Sequence, residues 1–347
     1  SFLKKSGSLT QRYTVGINGE ISNIEKSLQT YLSPDYQWNT YKWTLSLSVP
    51  LRWTGYTGVG FSRISVNPSL SIIYKLNYAW RFTAHASYKD DRPYQTDYRN
   101  SVWNCGILPV YRQQLYSVYG EYKNTAREFF ATVNLTHNRE WYNRIYEQRI
   151  ENGQVQRVSL PLSNHGSGYT VKSTLSKGFY DLGLKTSFLA LLNISKAEQS
   201  SGGQRLPYQY RLMRLEPKVI WTPNRHWETS YQTDIRYGGN KIGERTRLAP
   251  LWNVTQQVQL SYIFSPIEAS LSVDHYHNDV NEDQSVNAVF ADFSVLWKSR
   301  RWQITATATN LFDKRTYAYT RYASLESYTS WVRIRPREFL VAIRYRL

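Results

Sequence analysis

The sequence predicts an all-β protein whose antiparallel strands run up and down, and three observations predict it. Apolar and polar residues alternate with a period of two along most segments, which is the pattern of a strand with two unlike faces. Turns alternate strictly between short ones and long ones. Tryptophans cluster beside the short turns. Because outer-membrane barrels combine short turns at one end with long loops at the other, we predict a transmembrane antiparallel up-and-down outer-membrane β-barrel.

The segments follow one another as hairpins, and about sixteen strands are predicted. In the first half they comprise residues 9–19, 28–38, 43–51, 70–78, 82–88, 116–122 and 129–135. In the second half they comprise residues 169–175, 182–190, 213–221, 227–235, 252–264, 267–273, 289–297, 302–314 and 327–347. Short turns are predicted at Ala79-Trp80-Arg81, Lys177-Gly178, Pro223-Asn224 and Ser265-Pro266, among others. Residues 55–65, 89–109 and 138–166 are predicted loops.

Composition narrows the class of protein. The mean hydropathy of -0.56 and the lack of an apolar run of roughly 20 residues argue against a helical membrane protein. Cys105 is the only cysteine, so an intrachain disulfide is impossible. The net charge of +17 fits a lipopolysaccharide-rich surface or an anionic cargo. Because the basic residues are scattered along the chain, no nucleic-acid partner is expected.

Aromatic residues mark one end of the predicted strands. The chain has 29 Tyr, 12 Trp and 12 Phe. Seven of the 12 tryptophans lie within a few residues of short turns: Trp38, Trp43, Trp80, Trp221, Trp227, Trp297 and Trp302. Amphipathic rings favour the boundary between lipid and water, so these residues predict an aromatic girdle at one membrane interface.

The last 47 residues carry a resemblance to a known family. Asn310-Leu311-Phe312-Asp313-Lys314, a Tyr-rich segment, and then Arg333-Ile334-Arg335-Pro336-Arg337-Glu338-Phe339-Leu340 resemble the last two strands of TonB-dependent outer-membrane receptors, in their SusC-like and related branches. The family usually ends on Phe, whereas this chain ends on Leu347. The resemblance implies that residues 1–347 are the C-terminal portion of a single barrel domain of about 22 strands. It also implies that the first strands, a plug and the segment that binds the TonB complex lie upstream.

Two polar groups could hold a metal ion, and each has an ordinary alternative. His275 and His277 share one face of a strand, with Asp274 and Asp279 nearby, as in an incomplete zinc site. Asp279, Asn281 and Asp283 have the spacing of a calcium loop, but the glycine and the glutamate that complete such a loop are missing. A strand end leaving the bilayer and a solvated loop explain the same residues, so we expect no cofactor and no metal.

Charged residues are also predicted inside the barrel. Arg344 and Arg346 have the parity of the lumen, as do Lys75, His85, Asp234, Asp274 and Asp292. They could steer cargo or contact a plug, or they could merely line a polar interior. Arg333, Arg335 and Arg337 have the parity of the lipid face, so they either lie above the bilayer or are turned inward by a bulge near Pro336.

The resemblance implies an outer-membrane TonB-dependent transporter that takes up a scarce nutrient such as a glycan, a peptide or a metal chelate. Loops 89–109 and 138–166 are rich in Tyr, Arg and Trp, so cargo contact is expected there. The expected partners are outer-membrane lipid and lipopolysaccharide, the TonB complex and a surface lipoprotein or another outer-membrane subunit. A structural subunit of a larger outer-membrane or secretion assembly is the alternative. An outer-membrane hydrolase, for which no nucleophile–base set is visible, and a soluble β-protein are further alternatives, and we predict no enzyme activity.

Overall fold

The computed structural model describes residues 1–21, 26–57, 61–91, 110–151, 154–201, 203–243, 246–247, 249–281, 283–323 and 326–346. Contacts divide the chain into two compact units. Unit 1 comprises residues 1–122, 133–170 and 195–207, and unit 2 comprises residues 123–132, 171–194 and 208–347. Among the described residues, no helix has the length and apolarity that a membrane span requires.

Strands make up most of the described chain. The first twelve are β1 (Phe2–Ser6), β2 (Leu9–Ile21), β3 (Lys26–Asn39), β4 (Trp43–Ser48), β5 (Leu51–Thr57), β6 (Phe61–Val66), β7 (Ser69–Lys75), β8 (Trp80–Asp91), β9 (Tyr111–Asn124), β10 (Phe129–Tyr142), β11 (Ile145–Glu151) and β12 (Gln154–Leu160). The next twelve are β13 (Asn164–Phe179), β14 (Leu184–Ser201), β15 (Gln204–Asn224), β16 (Trp227–Ile242), β17 (Thr246–Arg247), β18 (Leu251–Phe264), β19 (Ile267–Asp279), β20 (Ser285–Lys298), β21 (Trp302–Thr309), β22 (Thr316–Ala323), β23 (Glu326–Arg333) and β24 (Glu338–Tyr345).

Successive strands pair with their neighbours in antiparallel register. Every strand except β22 and β23 belongs to one 22-stranded sheet, and those two form a separate hairpin. This arrangement confirms the predicted fold class, the all-β antiparallel up-and-down sheet of outer-membrane barrels. Each of the predicted strands overlaps at least one observed strand. That residues 1–347 belong to a single barrel domain remains a prediction.

The register gives the sheet in unit 1 two unlike faces. Leu45 pairs with Ile72, Ile72 with Ala84, and Ala84 with Val118, so one row across four strands is wholly apolar. The next row, one residue along, runs Ser46, Ser71, His85 and Ser117 and is wholly polar. Val118 is 54% exposed, although it is apolar. An exposed apolar face opposite a polar face is the chemistry that a lipid-facing sheet requires.

Unit 2 repeats the same division of faces. Leu271, Phe293, Ala308 and Phe339 lie opposite one another across β19, β20, β21 and β24. The neighbouring polar row includes Ser272 paired with Asp292, and Asp274 lies two residues further along β19. We call the two surfaces the apolar face and the polar face.

All seven tryptophans that the sequence placed beside short turns lie on the apolar face. Trp43 stacks on Tyr74 with ring centroids 4.3 Å apart, and Trp227 contacts Tyr262 at 4.6 Å. The seven side chains are between 37% and 47% exposed. The aromatic girdle is therefore present at the short-turn end of the strands in each unit.

Three prolines in unit 1 lie on neighbouring strands. The backbone N–H groups of Val49, Asn67 and Tyr88 donate to the carbonyl oxygens of Pro34, Pro50 and Pro68, respectively. Proline has no N–H group, so each of these positions lacks one hydrogen-bond donor. We call this row of residues the proline row. It separates β4 from β5 and β6 from β7.

Several predicted boundaries are wrong. The loop predicted at 55–65 overlaps β5 and β6, and the loop predicted at 138–166 contains the end of β10, β11, β12 and the start of β13. These segments continue as paired strands, because strand pairing satisfies the hydrogen bonds of their backbone. Of the loop predicted at 89–109, residues 92–109 lie outside the described residues, as does Cys105.

Two predicted short turns are also misplaced. The turn predicted at Ala79-Trp80-Arg81 precedes Trp80, because β8 already begins there. The turn predicted at Lys177-Gly178 occurs at Tyr180–Leu182 and ends on Gly183, whose φ is 59°. Gly178 is needed for a different reason, since any Cβ at that position would collide with the carboxylate of Glu128. Gly178 therefore reflects a close contact between its backbone and the Glu128 side chain, and not a reversal of the chain direction.

Candidate functional site

The segment between β21 and β24 is the part of unit 2 that departs most from the prediction. Residues 327–347 are not one strand: β23 pairs with β22 as a hairpin of its own, and only β24 pairs with β21. We call residues 316–333 the inner hairpin. Arg333, Arg335 and Arg337 therefore do not share the parity of β24, and the proposed bulge at Pro336 is replaced by a break between β23 and β24. Leu347 lies outside the described residues.

Asn310 fastens the base of the inner hairpin. Its side-chain amide donates to the carbonyl oxygens of Lys314 and Arg335, both at 2.8 Å, and its side-chain oxygen accepts the Lys314 N–H at 3.0 Å. Its own N–H donates to the Asp292 carboxylate at 2.7 Å. With a φ of 50°, Asn310 adopts the left-handed conformation, which Asn tolerates better than most residues.

Asp313 adds a second fastening to the same base. It also has a positive φ, 49°, and its carboxylate accepts the Arg337 N–H at 3.0 Å and the Arg315 guanidinium at 2.9 Å. The Arg315 guanidinium, helped by the Arg337 N–H, holds the pKa of the Asp313 carboxyl below its usual value. The Asn-Leu-Phe-Asp-Lys segment is thus a clamp that holds together the two ends of the inner hairpin.

The inner hairpin packs on the polar face of the sheet in unit 2. Asn278 donates its side-chain N–H to the Ala318 carbonyl at 3.2 Å, and the ring of Tyr317 meets Tyr276 edge-on at 5.2 Å. Ala318 is fully buried and Thr320 is 3% exposed. A two-stranded hairpin is marginal alone in water, so this packing against β16, β18, β19 and β20 is what holds it.

A charged cluster lies on the polar face beside the inner hairpin. Arg214 grips Asp234 with two N–H groups, each 3.1 Å from a carboxylate oxygen. Arg236 donates to the same carboxylate at 2.6 Å, and Arg214 also contacts Glu216. Strand β22 of the inner hairpin packs against β16, the strand that carries Asp234 and Arg236. Two guanidinium groups and two carboxylates are held together, with the arginines 38% and 52% exposed and able to meet a solute.

The register confirms the parity predicted for the charged residues in strands. Asp234, Asp274, Asp292 and Arg344 share the polar face of unit 2 through the pairs that connect β16 to β24. Lys75 and His85 share the polar face of unit 1. Arg346 follows β24, where its N–H donates to the Arg301 carbonyl. Asp234 joins the charged cluster and Asp292 joins the clamp, so these two have specific partners.

The two metal candidates have hydrogen-bond partners of their own. His275 lies 3.2 Å from Gln256, and His277 lies 2.8 Å from Asn287 and 3.5 Å from Asp279. Asp279 accepts the Trp252 N–H at 2.8 Å, and Asn281 accepts the Asp283 N–H at 3.0 Å. Among the described residues, no group of three or more His, Cys, Asp or Glu side chains is placed to hold a metal ion.

Unit 1 contains a second polar centre, around Glu140. Its carboxylate accepts hydrogen bonds from Tyr111 at 3.3 Å, Gln113 at 3.1 Å, Asn138 at 3.1 Å and Tyr142 at 3.0 Å. These donors come from β9 and β10, at the long-loop end of both strands. Tyr111 and Gln113 connect β9 to Glu140 on β10, whereas Asn138 and Tyr142 hold the carboxylate from within β10 itself.

The segment predicted as loop 138–166 is anchored close by. Glu147 on β11 accepts hydrogen bonds from the Ser200 hydroxyl and from the Gly203 N–H, which lies 3.2 Å away. Glu147 is 2% exposed and its neighbour Ile145 is fully buried. The β11–β12 hairpin is therefore a packed element of unit 1 rather than a free loop.

Sequence reasoning missed the inner hairpin, Arg214 and the Glu140 centre. The sequence did not separate the hairpin from the last strand, because residues 326–330 read Glu-Ser-Tyr-Thr-Ser and show no strict period of two. Arg214 and Glu140 each lie within a predicted strand or loop and gain their partners only from neighbouring strands.

Several solved structures are similar to this chain. The siderophore receptor PirA from Acinetobacter baumannii matches 87% of the chain with 8% identity and a TM-score of 0.40, and the chain spans 61% of its length. The ferric-catecholate import receptor Fiu from E. coli K12 matches 99% of the chain, and the chain spans 78% of its length, with 9% identity and a TM-score of 0.38. The ferripyoverdine receptor of Pseudomonas aeruginosa matches 99% of the chain, and the chain spans 68% of its length, with 8% identity and a TM-score of 0.37. No protein-family model and no curated protein sequence matches this chain.

Proposed function

We propose that this chain is part of an outer-membrane TonB-dependent transporter barrel that takes up a nutrient such as a glycan, a peptide or a metal chelate. The observation that carries the proposal is the inner hairpin, which an Asn310–Asp313 clamp fastens and which lies on the polar face beside a charged cluster. The opposite face is apolar, exposed and bordered by tryptophans. Such a sheet can line an aqueous passage with one face and contact lipid with the other.

The polar face offers contacts rather than covalent chemistry. Arg214 and Arg236 provide planar, permanently charged donors for anionic groups of a cargo. Tyr276 and Tyr317 provide rings that stack on apolar or sugar surfaces and hydroxyls that form hydrogen bonds. The inner hairpin covers this side of the sheet, so cargo that passes along it must displace the hairpin or move around it.

The proposed partners follow from the same placement. Lipid and lipopolysaccharide would contact the apolar face, and the TonB complex would supply the energy for uptake. A surface lipoprotein would contact the long-loop end. The transporter is proposed without an enzymatic step.

A reversible crosslink tests the proposal. In the full-length protein carrying Cys105→Ser, Asn278→Cys and Ala318→Cys would be joined by a short, reducible bifunctional thiol reagent in living cells. Uptake of a panel of labelled glycans, peptides and metal chelates would then be measured, with and without a protonophore. We expect protonophore-sensitive uptake of one class, blocked by the crosslink and restored by reductant.

Each single-cysteine variant, treated identically, is the matched control. Uptake that is unaffected by the crosslink would exclude the inner hairpin as part of the passage. Uptake of no cargo class by the untreated full-length protein would contradict the transport function itself.

A further inference from the structure

Unit 1 contains a cavity of about 560 Å³ that no part of the proposed transport function uses. It is lined by residues of β8, β9 and β10, with others at or just before the start of β13: Tyr88, Arg112, Gln114, Trp141, Ser163 and His165. All of these segments belong to unit 1.

The cavity lies on the same side of the sheet as the apolar face. The pair Tyr88–Gln114 continues the register of Ala84–Val118, four residues further along each strand, so both side chains have apolar-face parity. On β10, Glu140 points to the polar face with its four donors, so its neighbour Trp141 points the other way. A Cβ on Gly166 would lie 3.6 Å from that of Glu140, which places His165 beside Trp141.

The height of the cavity follows from counting along β9. Tyr122 pairs with Trp80 of the aromatic girdle, and Arg112 lies ten residues further along the strand. Ten residues that rise about 3.3 Å each, in a strand tilted by roughly 40°, span about 25 Å, which is the height of an apolar band in such barrels. Arg112 therefore lies at the opposite edge of the band, at the level of lipid headgroups.

The surroundings of the cavity are positively charged. Arg112 lies 3.6 Å from Asp90, which also pairs with Arg63, so one carboxylate serves two guanidinium groups. Arg139, two residues before Trp141, is exposed and donates to His137 at 3.2 Å. Two arginines share one aspartate here, and Arg139 adds a third positive charge nearby on β10, while Tyr88 and Trp141 add aromatic walls. Arginine and aromatic residues together suit a ligand that is anionic at one point and apolar or sugar-like next to it.

The Glu140 centre lies directly behind the cavity. The hydrogen bonds from Tyr111 and Gln113 of β9 to Glu140 of β10 hold the two strands together at the residues adjacent to Arg112 and Trp141. The N–H of Val110 also donates to the Asn143 side chain at 2.8 Å, which joins the ends of the two strands. The walls of the cavity are therefore set before a ligand arrives, and this reduces the entropy cost of binding.

We propose that this cavity binds the phosphorylated headgroup of a lipid of the outer leaflet. The acyl chains lie along the apolar face below Tyr88, the phosphate meets Arg112 and Arg139, and the sugar or glycerol contacts Trp141. The inference rests on the membrane placement in the proposed function, but it does not depend on transport or on the identity of the cargo.

Lipid retention by the full-length protein tests this assignment. The purified protein in detergent is titrated with bis-phosphorylated lipid A, with the same lipid after removal of its phosphates, and with inorganic phosphate, and bound species are counted by native mass spectrometry. We expect selective retention of the phosphorylated lipid. The double variant Arg112→Gln/Arg139→Gln should lower that retention at least about tenfold, because two charge-assisted hydrogen-bond donors are lost.

The matched control is Arg225→Gln, which removes one exposed arginine at the short-turn end. It should leave retention unchanged. Equal retention of the two lipids, or equal retention by the double variant and the unaltered protein, would overturn the proposal. Binding of inorganic phosphate as strong as that of the lipid would replace it with a site for free phosphate. Uptake assays on the same variants report separately on the transport function.

Discussion

Asp313 accepts the backbone N–H of Arg337 at 3.0 Å, although the whole inner hairpin separates the two residues in the chain. Asn310 makes a parallel connection between Lys314 and Arg335. The entrance and exit of the hairpin are thus joined by two short polar side chains in left-handed conformations. The base of the hairpin is therefore closed by side chains of the Asn310–Asp313 segment in addition to the strand pairing of β22 with β23.

Asn310→Ala should open the base of the inner hairpin. The substitution removes three side-chain hydrogen bonds and places Ala at a positive φ, so we expect the free energy of local opening to fall by about 3 kcal/mol. Hydrogen exchange of the amides in β22 and β23 measures this quantity. Asn281→Ala, in an exposed turn, is the control. Unchanged exchange in β22 and β23 would contradict the clamp.

The clamp should loosen in acid because of Asp313. Its folded pKa lies below the unfolded value, so the stability it contributes is complete above the unfolded pKa of about 3.9 and is lost as pH falls through the folded pKa. Exchange of the Arg337 amide, compared with that of a distant amide to correct for the intrinsic pH effect, should increase in that range. Asp313→Asn should abolish this specific increase, and its persistence in the variant would assign it to another group.

Removing Asp234 should leave Arg214 and Arg236 facing each other with Glu216, which contacts Arg214, as the remaining carboxylate of the cluster. Because Asp234 is largely buried and both arginines are partly exposed, we expect Asp234→Ala to destabilise unit 2 by about 2–3 kcal/mol. Urea unfolding in lipid vesicles measures the loss. In a double-mutant cycle, Arg214→Gln and Asp234→Asn should show a coupling energy of about 1–2 kcal/mol. A coupling energy near zero would mean that the pair does not act as a unit.

Adjacent residues of β9 provide a direct test of the two faces. Val118→Arg places a charge on the apolar face and should lower the free energy of unfolding in lipid by about 2–4 kcal/mol. Ser117→Arg places the same charge on the polar face and should change it by less than about 1 kcal/mol. Equal losses, measured by urea unfolding in the same vesicles, would show that Val118 does not contact hydrocarbon.

The hydrogen bonds to the Glu140 carboxylate should contribute strongly to the free energy of unfolding of unit 1. Glu140→Ala leaves four donors without their acceptor, and we expect a loss of about 2–3 kcal/mol. Glu140→Gln keeps an acceptor of the same shape and should lose about half as much. Thermal unfolding in detergent ranks the losses of stability. Tyr142→Phe, which removes a single hydrogen bond to Glu140, is the comparison. If Glu140→Ala and Tyr142→Phe behaved alike, the carboxylate would not be the centre of this network.

Strand positions and faces could be predicted because successive side chains of a strand point to opposite faces, so the alternation of apolar and polar residues is visible in the sequence. Leu45, Ile72, Ala84 and Val118 belong to separate alternating segments, and the register only brought them into one row. The parity assigned to Asp234 and His85 held for the same reason. Tryptophan positions were equally accessible, since their distance from a turn is a property of the sequence alone.

The clamp, the charged cluster and the Glu140 centre could not be predicted in this way. Each consists of partners that come together only once neighbouring strands are paired, such as Arg214 with Asp234 or Tyr111 with Glu140. Gly178 shows the opposite difficulty, because a glycine needed for contact with Glu128 is indistinguishable in sequence from one needed for a turn. Residues 326–333 were joined to β24 because nothing in their alternation records which sheet they enter.

The proline row has a consequence for how proteins of this type diversify. Pro34, Pro50 and Pro68 accept hydrogen bonds but cannot donate them, so each position contributes one backbone hydrogen bond fewer than another residue could. The β5–β6 hairpin, on one side of this row, can lengthen, shorten or exchange its residues with little effect on the strands on the other side. The β5–β6 hairpin could then vary as a separate module while the paired strands on the other side of the proline row keep their sequence.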